Sequence, residues 1–257
     1  MPSASRREVL AAVAASAAVP LRAQSSNRIT AIAFDAFVLF STSRVVSRSK
    51  EIFGDEAAAF VASASARLFA YTWLYTSAGR YSGFEKLARD AFEATASAMG
   101  RELRRSELDH IVGGYSVLEP WPDVPSALEA LQHDSVRLAI LSNLPRRALV
   151  SSLAAGGIGR YFEHVLSTDE VGRFKPAPVA YALAATRLRL KVASIGFAAS
   201  AGWDASGATW FGHPTVWVNR SHSMAEPAHQ TPDVVSAGME GVLRLARVDR
   251  APRRQRP

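Results

Sequence analysis

Four short runs in this chain are apolar on both faces and rich in β-formers: residues 29–34 (Ile-Thr-Ala-Ile-Ala-Phe), 136–141, 193–199 and 215–218. Such runs have no polar side to turn to water, so they belong in a parallel sheet covered by helices on both faces. Helical patterns stand between them at residues 124–133, 146–155, 176–190 and 204–211. Only a few turn residues separate each helix from its strand. Alternation of this kind predicts an α/β fold with a doubly wound, Rossmann-like parallel sheet. Residues 45–118 interrupt the alternation with helical stretches at 57–75, 84–99 and 106–115 and no strand. That block is expected to be a helical cap inserted into a core made of residues 24–44 and 119–246, with Pro120, Pro122 and Pro125 marking the return.

The formal charge of +7 is concentrated at the two ends. Residues 1–23 carry Arg6, Arg7 and Arg22 against Glu8, and residues 247–257 carry five arginines against Asp249, which leaves about +1 for everything between. A nearly neutral body implies no nucleic-acid surface, and residues 247–257 are expected to be a disordered basic tail. Ser5-Arg6-Arg7-Glu8-Val9-Leu10, the apolar run to Leu21 and then Arg22-Ala23-Gln24 form the pattern of a twin-arginine signal peptide, residues 1–23. Cleavage after Ala23 would deliver the protein to the periplasm, and the run is too short for a stable membrane anchor. The absence of cysteine excludes disulfides, thiolate metal sites and thiol nucleophiles. The six histidines have no metal-ligand spacing, and neither a nucleophile elbow nor a phosphate-cradling glycine loop occurs. Chemistry is left to oxygen and nitrogen side chains.

In open α/β sheets, reactive groups gather beyond the carboxyl ends of the strands. That rule selects Asp35, Ser142-Asn143 and Ala199-Ser200 with Asp204. Singly, each has a plain alternative: an aspartate turn, an N-cap, a surface lysine at 175, a core tyrosine at 181. In order, Phe34-Asp35, Leu141-Ser142-Asn143, Lys175-Pro176 and Trp203-Asp204 resemble the haloacid dehalogenase superfamily. The resemblance narrows to its 2-haloacid dehalogenases (type II) through Phe34-Asp35-Ala36-Phe37, Tyr71-Thr72-Trp73-Leu74, Trp121-Pro122-Asp123-Val124, Lys175-Pro176 with Tyr181, and Trp203-Asp204-Ala205-Ser206-Gly207-Ala208. It covers residues 29 to about 245.

This resemblance implies hydrolytic removal of halide from a small (S)-2-haloalkanoic acid through an ester on Asp35. Lys175 would hold the nucleophile ionised, and Asp204 would position Lys175 or the hydrolytic water. Ser142 and Asn143 would hydrogen-bond the substrate carboxylate or Asp35, with Tyr75, Tyr181 and Trp203 lining the pocket. No metal and no cofactor is implied, and an aromatic cap face (Phe69, Tyr71, Trp73, Tyr75) is compatible with a homodimer. Phosphatases of the superfamily need an acid two positions after the nucleophile, where this chain has Phe37, and magnesium on several carboxylates, where Ala201-Gly202-Trp203-Asp204 offers one.

Five positions depart from the family pattern, four of them by loss of a polar or charged side chain. Val38-Leu39 replace Gly-Thr, Tyr75 replaces a substrate-gripping arginine, and Ala199 and Ala201 replace Ser and Asn. Losing one partner of a buried charged pair costs roughly 3–5 kcal/mol. The expectation is therefore an altered pocket with weakened carboxylate recognition, unless Arg44, Arg48, Arg67 or Arg80 reaches in from the cap. The alternative is a catalytically silent relative that binds a small organic acid or a protein partner in the same cleft.

Overall fold

The computed structural model, which describes residues 28–228 and 230–247, places the first apolar run inside a six-stranded sheet. Strand β1 (Ala31–Phe34) leads into a single helical turn, α1 (Ala36–Leu39), and the two-residue strand β2 (Phe40–Ser41). Helices α2 (Ser43–Phe53), α3 (Ala57–Ser77), α4 (Phe84–Ala98) and α5 (Arg105–Val112) follow, and β3 (Glu119–Pro120) returns to pair antiparallel with β2. The remainder alternates: α6 (Val124–His133), β4 (Arg137–Ser142), α7 (Arg146–Ala155), β5 (His164–Ser167), α8 (Pro178–Leu188), β6 (Ile195–Ala199), α9 (Gly202–Phe211), β7 (Thr215–Val218), β8 (Val234–Ser236) and α10 (Glu240–Ala246). The expected signal peptide and residues 248–257 of the expected tail lie outside the described residues.

The sheet order is β5-β4-β1-β6-β7-β8, with every neighbouring pair parallel. The chain builds outward from β1 to β4 and β5, then crosses to β6 on the other side. This makes the β1/β6 boundary the point where strand order reverses and ligands bind. The doubly wound class is as predicted from the strand runs. Those runs mark the four central strands; β5 and β8, at the two edges, are short and partly exposed and lack the same signature.

Alternation along β1 divides the core. Ile32 and Phe34 face one side, packed with Leu138, Ile140 and Val216 and continuous with the aromatic interior of the inserted helices, where Phe53 and Phe60 stack at 3.9 Å. Ala31 and Ala33 face the other side with Ala139, Ala199, Tyr181 and Phe197. Small residues on that side let α8 and α9 approach the sheet closely and leave room for Tyr181. The inserted helices are fastened to the loop before α8: Phe174 N donates to Thr76 Oγ1 (3.2 Å), Arg173 to the Gly79 carbonyl (3.2 Å), and Tyr81 to Asp169. The Trp121-Asp123 stretch serves the fold. Trp121 Nε1 donates to the Phe37 carbonyl (3.3 Å), and Arg220 pairs with Asp123 (2.8 Å) while lying over the Trp121 ring.

Gly207 on α9 sets the separation of α8 and α9. A Cβ there would lie 2.4 Å from the Tyr181 hydroxyl and 2.8 Å from Pro176 Cβ. Gly207→Ala is therefore expected to lower the unfolding free energy by about 1–3 kcal/mol through overpacking, although alanine is the better helix former by about 1 kcal/mol. An unchanged or raised midpoint in urea denaturation would show that Tyr181 yields without cost.

Candidate active site

Asp35 ends β1 at the β1/β6 boundary, its backbone N–H donating to the Ala198 carbonyl at 2.8 Å. Its side chain caps α1, with Oδ2 accepting from Phe37 N at 3.1 Å. The Ser200 hydroxyl donates to the same oxygen at 2.7 Å. Oδ1 accepts from Lys175 Nζ at 2.9 Å, and that ammonium also donates to Asp204 Oδ2 at 2.9 Å. Asp204 lies in the first turn of α9, where the helix dipole favours a negative charge. Its other oxygen accepts from the Tyr181 hydroxyl at 2.7 Å. Lys175 and Asp204 are each 1 % exposed and Asp35 is 6 % exposed, so the reachable member of the triad is the carboxylate at the strand end.

Burial pushes the Asp204 carboxyl up to about 6 against the pull of the Lys175 ammonium, and the nearby Asp35 adds to the rise. Burial alone would pull Lys175 down, but the two carboxylates outweigh it and hold the ammonium above its ordinary value. Burial and the Asp204 charge raise Tyr181 well above the usual phenol, so it stays a neutral donor.

The structure brings Asp35, Lys175, Asp204 and Tyr181 into one hydrogen-bonded cluster and gives Ser142 and Asn143 other partners. Asn143 Oδ1 accepts from Lys175 N (3.0 Å) and from Thr168 Oγ1 (3.2 Å), which anchors the lysine's loop. Ser142 Oγ accepts from Leu144 N at 3.1 Å and shapes the turn after β4. Among the described residues, neither donates to Asp35; the Asn143 amide NH2 remains available to a ligand. The cap arginines are also tied elsewhere: Arg44 to Glu119, Arg48 to the His110 carbonyl and Arg67 to Thr95, while Arg80 is exposed. None contacts the cluster. Tyr75 packs half-buried against the main core, and its hydroxyl makes no hydrogen bond among the described residues.

Trp203 packs against Phe69 (5.2 Å) and Trp73 (5.5 Å), two residues one helical turn apart on α3. With Ser200, Trp73 and Trp217 it lines a cavity of about 530 Å³. Ser200 belongs to the site although the sequence reading did not give it a role. It was within reach of the rule for strand ends, being the residue that follows β6. Among the described residues, no group of three or more His, Asp or Glu is arranged to hold a metal ion, and no helix is long and apolar enough to cross a membrane. Lys175 Nζ itself occupies the position between the two carboxylates.

Comparisons with known proteins agree with this geometry. A family model described as haloacid dehalogenase-like hydrolase matches residues 9–212. The chain is 37% identical to (S)-2-haloacid dehalogenase 2 of Pseudomonas sp. (strain CBS-3), over 70% of this chain and 80% of that protein. It is 34% identical to (S)-2-haloacid dehalogenase of Pseudomonas sp. (strain YL), over 84% and 94%. Among solved structures, L-2-haloacid dehalogenase RSc1362 superposes with a TM-score of 0.82 at 30% identity, covering 86% of this chain and all of that one. L-2-haloacid dehalogenase from Xanthobacter autotrophicus with chloropropionic acid covalently bound gives a TM-score of 0.78 at 28% identity, covering 85% and 98%.

Replacing Lys175 by methionine leaves two buried carboxylates facing each other without a cation. Lys175→Met is expected to cost about 3–5 kcal/mol of stability near neutral pH. Asp204 is already raised to about 6 with the ammonium beside it; without that cation it titrates higher still in the folded chain, so the folded variant takes up a proton and the deficit against the parent shrinks as pH falls toward about 6. Urea unfolding of both proteins near pH 7.5 and near pH 5 checks this; an equal deficit at both would remove the carboxylate pair as its cause.

Proposed function

The chain belongs to the haloacid dehalogenase-like hydrolase family, and on that premise we propose that it hydrolyses the carbon-halogen bond of a 2-haloalkanoic acid of the (S) series through an ester on Asp35. The observation that carries this reading is the Asp35 carboxylate at a sheet switch point, with a buried ammonium 2.9 Å from one oxygen and a hydroxyl 2.7 Å from the other. In the first step an Asp35 oxygen bonds to C2 as the halide leaves with the C–X electron pair. In the second, water adds to the Asp35 carboxyl carbon, the ester C–O bond breaks toward the substrate oxygen, and that oxygen leaves as the hydroxyl of a 2-hydroxy acid. One water is consumed and one hydrogen halide formed.

Each Asp35 oxygen has its own donor, so whichever is esterified, the other keeps a hydrogen bond to take the charge that develops when water adds. Lys175 supplies the positive charge. Asp204 acts through Lys175, since both its oxygens are taken by Lys175 and Tyr181. The alternative of a silent relative rests on the polar groups missing at positions 39, 75, 199 and 201. Ser200 weighs against it, because a hydroxyl stands between the two alanines and reaches the carboxylate.

Turnover in oxygen-18 water, followed by mass spectrometry of the peptide holding Asp35, is expected to show label in that residue, with none in Asp35→Asn. Ser200→Ala is expected to keep the labelling but slow chloride release about ten- to a hundredfold, the worth of a hydrogen bond to a charged group. Ligand binding without label would favour the silent relative.

We also propose periplasmic residence, supported by Ser5-Arg6-Arg7-Glu8-Val9-Leu10 and the apolar run after it. Changing Arg6 and Arg7 together to lysine is expected to leave the protein in the cytoplasmic fraction of a bacterial host that exports the parent; export of both to the same extent would end that reading.

A further inference from the structure

The cavity beside the nucleophile is large for a three-carbon haloacid. Its volume of about 530 Å³ lies within the roughly 300–1,000 Å³ of sites that enclose drug-sized ligands. Three indoles, Trp73, Trp203 and Trp217, line it with Met224, alongside small and polar residues such as Gly202 and Ser221. Asp35 does not line it, but Ser200 does, and the Ser200 hydroxyl is 2.7 Å from Asp35 Oδ2, so the cavity and the attacking carboxylate share one residue. Among the described residues no lysine or arginine lines it; its polar side chains are Ser200, Ser221, Ser223 and Glu226, so it offers the substrate carboxylate no cation. The opposite end of the substrate is what these walls suit. Indole faces and edges receive another aromatic ring better than an alkyl chain of equal area.

We propose, on the basis of the dehalogenase reading above, that the substrate carries an aryl group on the carbon chain, and that this ring occupies the tryptophan-lined cavity while C2 faces Asp35. The reaction is unchanged in its bonds: carboxylate oxygen to C2, halide departing, water restoring the acid. The gain is in anchorage. Burial of the remote ring holds the reacting carbon in place and offsets the grip lost where the family has arginine and this chain has Tyr75.

The test is halide release from 2-chloropropionate and from 2-chloro-3-phenylpropionate, which differ by one phenyl ring, with propionate and 3-phenylpropionate as unreactive binders read by tryptophan fluorescence. The phenyl substrate is expected to have kcat/KM about ten- to a hundredfold higher, the worth of burying one aromatic ring. The preference, and the quenching by 3-phenylpropionate, should both fall at least about fivefold in Trp73→Ala, a change at a residue already 37 % exposed. Faster release from 2-chloropropionate, or a preference that Trp73→Ala leaves intact, overturns the aryl assignment and spares the dehalogenase reading. Release from neither acid overturns both, whatever the quenching shows.

Discussion

Everything in this structure depends on one ammonium placed 2.9 Å from each of two buried carboxylates. Desolvating three ionic groups is expensive, and their mutual attraction repays it only where the geometry is tight and the remaining lone pairs are used. Here they are: Tyr181 takes the second oxygen of Asp204, and Phe37 N with Ser200 takes the second oxygen of Asp35. Two carboxylates against one ammonium leave a surplus negative charge. Asp204, raised by burial and placed in the first turn of a helix, has both oxygens engaged by protein. Asp35 is the more exposed of the pair and so the one a substrate can reach.

That geometry constrains the fold around it. The two aspartates come from β1 and α9, and the lysine from a loop whose backbone N–H is held by Asn143 at the end of β4. Three strand ends must therefore stay in register for one ammonium to meet both carboxylates. The alanines of β1, β4 and β6 that face α8 and α9 let Tyr181 lie deep enough to reach Asp204. The same loop is bonded to the end of α3 through Thr76 and Gly79, so the position of the lysine and the seating of the inserted helices are one mechanical problem. A displacement of the helical block would be felt first at the charge pair.

The central strands were legible because burial on both faces leaves an unbroken apolar run. The edge strands were not, because His164–Ser167 and Val234–Ser236 are partly exposed and so carry no unbroken apolar run. At the site, Asp35, Lys175 and Asp204 followed from the order of motifs and the structure joins them; Tyr181, expected to line the pocket, is fully buried and instead donates to Asp204. Ser142 and Asn143 were placed at the right strand end, yet a motif cannot tell a donor to the nucleophile from a residue that holds the neighbouring loop. Ser200 escaped for the converse reason. Between two alanines and a glycine it looks like a turn, and only the backbone of the β6-α9 loop aims its hydroxyl at Asp35. Tyr75 has a place in the motif, and the structure sets it half-buried against the core with no hydrogen bond from its hydroxyl among the described residues.

The departures at 38, 39, 75, 199 and 201 and the indoles at 73, 203 and 217 belong to one trade. An arginine fork recognises a carboxylate strongly and is nearly indifferent to what hangs from the far end of the molecule. An aromatic wall reads the far end by area and shape and is nearly indifferent to charge, with each added methylene worth only about 1–3 kcal/mol. A site that has given up the first must draw its binding from the second, and remote binding helps the chemical step only if it holds the reacting carbon in line with Asp35. The hydrogen bond from Ser200 is where that coupling resides, because this residue both braces the carboxylate and lines the tryptophan cavity.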